Sequence, residues 1–121
     1  MPVPGGRKTV VVTGASGGVG SLIVQLAKAT GATVWGQSTS AAKVPAIEAL
    51  GVDRAVVTDA DDLVAAVSDL RPTLVIDGLG GTFTPAAVAA LEPHGRLVLF
   101  GASAGDDIPL SSRGFYRKGI S

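Results

Sequence analysis

The residues from Val10 to Gly20, VVVTGASGGVG, form an apolar β-branched run that breaks into a glycine-rich turn. Three small residues in the turn, Ala15, Gly17 and Gly20, follow the G/A-x-G-x-x-G spacing. The first permits a tight turn, the second lets the backbone approach a phosphate, and the third lets a helix pack on the strand. The first N–H groups of that helix lack partners within it and favour an anion. The turn therefore predicts a phosphate-binding backbone, with Gly18 and Val19 as main donors, made of Ala15, Ser16, Gly17, Gly18, Val19 and Gly20. The alternative is a structural turn without a ligand.

A second group of polar residues, at the end of the next predicted strand, bears on which phosphate compound would bind. NAD sites commonly place an Asp or Glu about 20 residues after the glycine turn, where it binds ribose hydroxyls. The corresponding segment here, GQSTS from Gly36 to Ser40, has no carboxylate. The hydroxyls of Ser38 and Ser40 and the ammonium of Lys43 instead make a socket suited to a 2′-phosphate, which favours NADP(H). The alternative is that Ser40 only caps a helix and Lys43 is solvated.

Strands and helices alternate along the chain in an order that would bring these two groups together. Apolar β-rich runs predict strands at Thr9–Thr13, Thr33–Gly36, Arg54–Val57, Thr73–Ile76 and Arg96–Phe100. Helical spacing and capping residues predict four helices: Val19 to the C-cap Gly31, Ser40 to Leu50, Asp59 or Asp61 to Leu70, and Thr84 to Leu91. We expect an α/β fold of Rossmann type, with five strands in a doubly wound parallel sheet ordered 3-2-1-4-5.

Ligands of such sheets bind at the carboxyl ends of the strands, where the strand order reverses. In this chain most of those ends are rich in glycine and other small residues, which allow a ligand close to the backbone. Asp77 ends the fourth strand and is the carboxylate nearest the predicted site. It either influences a bound ribose or accepts N–H bonds from the glycines that follow it.

Composition limits the class of protein. The 121 residues are 46% hydrophobic, which is enough for one domain, spanning residues 1–121, with a core of its own. No apolar run approaches the ~18 residues that span a bilayer, and no signal peptide is evident, so we expect a cytoplasmic protein without a membrane partner. One histidine and no cysteine argue against a metal site. A net charge of zero argues against a nucleic-acid partner.

Several segments carry a family resemblance. VVTGASGGVGSLIVQLAK resembles the cofactor domain of the medium-chain dehydrogenase/reductase superfamily, in its zinc-independent quinone oxidoreductase or enoyl reductase branch. GQSTSAAK, ALGVDRAV, VIDGLGG and LEPHGRLVLFGA agree with that branch in order and spacing, so the resemblance covers about residues 8–121. It implies an oxidoreductase that transfers a hydride from NADPH to a quinone or an activated double bond.

The same resemblance implies a role for each matching residue. Residues 16–19 would face the pyrophosphate, and Ser38 and Lys43 the 2′-phosphate. Gly78 and Leu79 would lie by the ribose. The nicotinamide end would be lined by Phe100, Gly101 and Ala102. His94 stands where relatives often have glycine, before the fifth strand and opposite the ligand edge, so we expect a turn histidine rather than a catalytic one.

Relatives of this branch have a β-rich, GroES-like catalytic domain, which the resemblance places outside this chain. They also have a sixth strand that often pairs across a dimer, and this chain ends at RKGIS, where that strand would begin. We therefore expect no catalytic residue here, cofactor binding with little turnover alone, a quinone or enone substrate only together with a catalytic domain, and a homodimer through the C-terminal edge.

Two other classes of protein fit parts of the sequence. Thr13, Gly14, Gly18 and Gly20 also satisfy the TGxxxGxG turn of short-chain dehydrogenases. That family's Y-x-x-x-K pair is missing, because Tyr116 is followed four residues later by Ile120. A non-enzymatic NADP(H)-binding or sensing module would need the same phosphate socket and stays open.

Overall fold

The computed structural model describes residues 8–101 and 119–121. Its five strands are β1 (Thr9–Thr13), β2 (Thr33–Ser38), β3 (Arg54–Val57), β4 (Leu74–Asp77) and β5 (Arg96–Leu99). All pair in parallel in one sheet, in the order β3-β2-β1-β4-β5. The predicted fold class and strand order are confirmed. β1 is the central strand, and the strand order reverses beside it, so its carboxyl end lies between those of β2 and β4.

Within the described residues, four α-helices cover the two faces of the sheet. They are α1 (Gly18–Ala29), α2 (Val44–Glu48), α3 (Leu63–Val67) and α4 (Phe83–Ala90). Short 3₁₀ helices precede α2 at Ala41–Lys43 and follow α3 at Ser68–Leu70. Along β1, Val10 and Val12 pack with α1 and α2, whereas Val11 packs with α3 and α4. Strands buried on both faces explain why β1 is a continuous apolar run.

One predicted helix cap, Thr84, is wrong, and another, Asp59, lies one turn before its helix. α4 begins at Phe83, and the hydroxyl of Thr84 donates to the buried Asp77 carboxylate at 2.7 Å instead of capping the helix. α3 begins at Leu63, and the Asp59 carboxylate accepts the N–H of Asp62 at 2.9 Å one turn earlier. The partner of Thr84 is not one that a local capping rule reveals, whereas the Asp59 bond to the N–H three residues later has the spacing of a cap.

The helix predicted from residue 40 to residue 50 is divided. Ser40 precedes the 3₁₀ helix without a side-chain cap, and α2 follows with Pro45 in its first turn. α1 has the expected helical spacing, and Gly31 follows it with a φ of 88°. Its most apolar stripe, however, faces outward: Val19, Leu22 and Leu26 are 56%, 60% and 68% exposed.

The outer edge of β5 is extended by the last residue. The Ser121 N–H donates to the Gly95 carbonyl at 3.0 Å, and the Leu97 N–H donates to the Ser121 carbonyl at 2.8 Å. This pair of bonds is the pattern of a parallel ladder, so Ser121 occupies the place of the first residue of a sixth strand. Within residues 8–101 and 119–121, no helix is long and apolar enough to cross a membrane.

The turn before β5 contains an exposed histidine with a left-handed backbone, His94 at a φ of 67°. Its imidazole lies against Gly119, at the amino edge of the sheet. This conformation is costly for any residue with a Cβ.

We expect His94→Gly to stabilise the chain by about 0.5–1 kcal/mol. Glycine adopts a left-handed backbone without steric cost, and this gain exceeds the additional conformational entropy that glycine loses on folding. Urea denaturation monitored at the single tryptophan measures this. His94→Ala is the matched control, because it removes the imidazole and keeps the Cβ. Equal stability of the two variants would contradict a backbone origin.

Candidate functional site

The turn after β1 is built on a close approach between its first residue and the helix that follows. Gly14 has a φ of 66°, and its carbonyl accepts the N–H of Gly17 at 3.1 Å. A Cβ on Gly20 would overlap the Gly14 carbonyl oxygen and lie 3.3 Å from the Cα of Ala15, so only glycine fits there. Ala15 is fully buried. Of the predicted phosphate-turn residues, Ala15 and Gly20 thus shape the turn from inside.

The other four turn residues face outward. Residues 16–19 are all exposed. A Cβ on Gly18 would meet nothing within 4 Å, and one on Gly17 would meet only the Gly14 carbonyl oxygen at 3.4 Å. No side chain caps α1, and its first turn has no acidic residue. Packing therefore gives no reason for glycine at position 18. The open backbone at this helix start fits an anionic group such as a pyrophosphate.

A second glycine-rich surface follows β4 and β5 at the same edge. Leu79 packs on the turn, since a Cβ on Gly14 would lie 3.1 Å from its Cδ2 atom. The Phe100 ring lies directly over Gly78, where a Cβ would overlap it, and a Cβ on Gly101 would lie 2.6 Å from the Gly78 carbonyl oxygen. The fold thus brings these four predicted site residues together beside the turn. Ala102, the remaining predicted residue, lies outside the described ranges.

The Asp77 carboxylate lies beneath this surface and points inward. Asp77 is fully buried, and its Oδ1 atom accepts the Thr13 hydroxyl at 2.5 Å and the N–H groups of Leu79 and Gly80 at 2.9 and 3.3 Å. Its Oδ2 atom accepts the Thr84 hydroxyl at 2.7 Å. Of the two roles considered for Asp77, the structure shows the turn-forming one. The hydroxyls of the buried Thr13 and Thr84 donate to the same carboxylate and help to hold it in place.

On the other side of the turn lie the residues predicted to bind the 2′-phosphate. The Ser38 hydroxyl oxygen accepts the Ser40 N–H at 3.1 Å, and that bond does not use the hydroxyl's own proton. Lys43 ends the 3₁₀ helix one turn later, is exposed, and belongs to neither of the two ion pairs formed among the described residues. Because β2 neighbours β1, these groups lie at the same edge as the glycine turn.

One residue that sequence reasoning did not select, Gln37, connects the two regions. Its side chain is fully buried in β2; Oε1 accepts the Gly14 N–H at 2.9 Å and Nε2 donates to the Thr58 carbonyl at 2.8 Å. The one available signal was a lone amide in the apolar strand VWGQS, since a buried polar group must find hydrogen-bond partners. The sequence does not say which partners.

A family model described as zinc-binding dehydrogenase matches residues 18–121. The chain therefore belongs to the zinc-binding dehydrogenase family, and the resemblance to the cofactor domain of medium-chain dehydrogenases/reductases is confirmed. The family's name refers to zinc, but this chain has one histidine and no cysteine. Its described residues also contain no group of three or more histidine and acidic side chains able to hold a metal ion. The residues present do not fit a zinc site.

Two curated relatives are similar to most of this chain. Prostaglandin reductase-3 of Bos taurus is 33% identical over 105 residues, which are 84% of this chain and 28% of that protein. Acryloyl-coenzyme A reductase of Sulfurisphaera tokodaii is 39% identical over 92 residues, which are 76% of this chain and 27% of that protein. The chain thus spans less than a third of the length of these relatives.

Two solved structures show the same architecture. A mycobacterial quinone oxidoreductase superposes with a TM-score of 0.83 at 28% identity, covering 94% of this chain and 37% of that one. A mycobacterial protein complexed with NADPH gives a TM-score of 0.83 at 28% identity, covering 94% of this chain and 38% of that one. These matches support the predicted cofactor, NADP(H).

The packing of the turn predicts that its glycines differ in their effect on stability. Gly20→Ala should lower the free energy of unfolding by about 1–3 kcal/mol, because the new methyl group overlaps the Gly14 carbonyl. Gly18→Ala, the matched control, should change it by no more than about 0.5 kcal/mol, because its methyl group enters open space. Chemical denaturation of both variants measures this. A larger loss for Gly18→Ala than for Gly20→Ala would contradict the packing described here.

Proposed function

We propose that this chain is the NADP(H)-binding domain of an oxidoreductase that transfers a hydride from NADPH to a quinone or an activated double bond. The observation that carries the proposal is one continuous edge, formed by the open backbone at Gly17 and Gly18, the carboxylate-free segment with Ser38 and Lys43, and the glycine-rich ends of β4 and β5. The names of the relatives support the reaction class: one reduces acryloyl-coenzyme A, and one is a quinone oxidoreductase.

The pyrophosphate would lie on the start of α1. The N–H groups of Gly18 and Val19 belong to the first helical turn, where no side chain caps them. They donate to an anion without competition from an internal acceptor, and the helix dipole adds to the attraction. The exposed backbone at Gly17 lets the two phosphates approach closely, because no Cβ intervenes.

The 2′-phosphate would be held after β2. Ser38 occupies the position where NAD sites commonly carry a carboxylate, so its hydroxyl donates where a carboxylate would repel the phosphate. The Ser40 N–H already holds the Ser38 oxygen at 3.1 Å, which orients the hydroxyl. The exposed ammonium of Lys43 supplies the opposite charge.

The nicotinamide end would lie against Gly78, Leu79, Phe100 and Gly101. NADPH supplies the hydride there, and the chain's own part is to bind and orient it. The Phe100 ring closes over Gly78, which leaves a compact surface of backbone and apolar atoms. Asp77, the nearby carboxylate, has its oxygens occupied by inward hydrogen bonds, so it is not placed to exchange a proton with a substrate.

The acceptor pocket and the route for a proton are proposed to come from a separate GroES-like catalytic domain. Hydride transfer needs the acceptor in near-attack geometry and a proton donor. The described residues at this edge provide neither, and the relatives are more than three times the length of the matched region. We further propose that the C-terminal edge, where Ser121 pairs with β5, is the side through which two copies associate.

The role of Lys43 has a selective test. Lys43→Ala should weaken NADPH binding by about 1.5–3 kcal/mol and leave NADH binding unchanged, because the ammonium contacts only the 2′-phosphate. Calorimetric titration of both cofactors measures the difference. Lys8→Ala, which removes the same charge at the amino edge of the sheet, is the control. Equal weakening of NADPH and NADH, or of neither, would contradict the assignment.

The need for a second domain is tested by turnover. The purified 121-residue chain should bind NADPH and yet oxidise it no faster than buffer does in the presence of a quinone or an acryloyl thioester, followed by NADPH absorbance. Recovery of turnover on adding a separately expressed catalytic domain supports the proposed function. Robust turnover by the chain alone would contradict the need for that domain. A partner protein captured only in the NADPH-loaded state would favour a cofactor sensor instead.

A further inference from the structure

We propose that Gln37 is a positioning residue that holds the turn after β1, the proposed pyrophosphate subsite, in place against the ends of β2 and β3. This inference rests on the proposed function for its consequence in binding. The positioning role itself is inferred from hydrogen bonds within the chain. Gln37 is itself remote from ligand, because its side chain is fully buried.

On one side, Gln37 contacts the turn after β1. Gly14 leaves the β1 ladder with a left-handed φ of 66°, so its N–H needs an acceptor from elsewhere. Gln37 provides one from its side chain, with Oε1 at 2.9 Å, and its backbone carbonyl accepts the next N–H, that of Ala15, also at 2.9 Å. One residue of β2 therefore holds the first two N–H groups of the turn. The Gly14 carbonyl in turn contacts Gly17 and Gly20, which start α1.

On the opposite side, Gln37 contacts Thr58, the residue that follows β3. The Gln37 Nε2 atom donates to the Thr58 carbonyl at 2.8 Å, and the Thr58 N–H donates to the Ser38 carbonyl at 3.0 Å. Thr58 is itself buried, so these bonds are shielded from water. A short chain of hydrogen bonds thus runs from Gly14 through Gln37 and Thr58 to Ser38. Its two ends are a pyrophosphate subsite and a 2′-phosphate subsite in the proposed function.

The chemistry of the two partners specifies a carboxamide. The Gly14 N–H can only donate and the Thr58 carbonyl can only accept, so the bridging group must accept at one end and donate at the other. A carboxamide does this without charge. An ionised carboxylate would place an oxygen against the Thr58 carbonyl oxygen, whereas a protonated carboxyl would restore both bonds. An apolar side chain of the same length would leave both backbone groups without a partner.

Gln37→Met tests the inference through cofactor binding. We expect it to weaken NADPH and NADH alike, by about tenfold, because it loosens the turn that both cofactors share. Gln25→Met is the matched control, since Gln25 is exposed on α1 and its amide donates only within the helix, to the Ser21 carbonyl at 3.1 Å. The Gly14 amide resonance should also move to the position of a weaker hydrogen bond. The proposal is overturned if Gln37→Met binds both cofactors as tightly as Gln25→Met does, or if Gln37→Met weakens the binding of NADPH alone.

Gln37→Glu tests the same inference in the ligand-free chain and serves if Gln37→Met does not fold. Burial raises the pKa of the introduced carboxyl above its unfolded value, so the neutral form, which makes both bonds, predominates at low pH. Stability relative to the native chain should be nearest to normal at low pH and fall as pH rises through that raised pKa. Asp59, Asp77 and Lys43, the titratable groups on adjoining segments, are the same in the native chain and in the Gln37→Glu variant.

The controls separate this inference from the proposed function. The stability of Gln25→Glu relative to the native chain should not fall in this way as pH rises. If the stability of Gln37→Glu follows the same pH dependence as that of Gln25→Glu, the positioning role is overturned. Failure of the native chain to bind NADPH would reject the proposed function. The Gly14 resonance and the pH dependence of stability would still decide whether Gln37 positions the turn.

Discussion

The contact between Gly20 and the Gly14 carbonyl is the constraint on which the rest of the site depends. A helix can start this close to the end of a strand only where no Cβ separates them, and Gly20 provides that space. The first N–H groups of α1 are thereby brought to the carboxyl edge of the central strand. Because β1 lies between β2 and β4, the hydroxyl-bearing segment after β2 and the glycines after β4 lie on its two sides. Displacing the helix start would separate these three regions at once.

The polar side chains at this edge divide into two sets with different tasks. Gln37, Asp77, Thr13 and Thr84 are fully buried, and their hydrogen bonds hold the loops in place. The other set is mostly exposed backbone, with the exposed Lys43 ammonium and the largely buried Ser38 hydroxyl beside it. Such a surface can hold and orient an anionic cofactor, but its described residues present no group suited to acid–base work. This division agrees with membership of a dehydrogenase family in which a bound dinucleotide carries the chemistry.

Sequence reasoning was accurate where hydrophobic burial decides the structure and less so where a polar side chain has several possible partners. The strands follow from β-branched runs that must be buried on both faces, and their parallel order follows from the alternation with helices. The predicted cap at Thr84 was wrong because its hydroxyl bonds to Asp77. Asp59 does make the local bond expected of a cap, to the Asp62 N–H, but α3 begins one turn later, at Leu63. The apolar stripe of α1 identified a helix, but Leu22 and Leu26 lie on the surface, since the helix packs through Gly20 and Val24.

By itself the sequence determined the fold class, the strand order, the position of the glycine turn and the absence of a carboxylate after β2. These depend on residue type, spacing and periodicity, which are local properties of the chain. Only the tertiary structure decided that Gln37 bridges Gly14 and Thr58, that Asp77 points inward, and that Phe100 closes over Gly78. The Gln37 and Phe100 contacts join residues more than 20 positions apart, and so does the bond from the Thr13 hydroxyl to Asp77. A buried polar group must be paired, but which partner reaches it is known only once the strands are side by side.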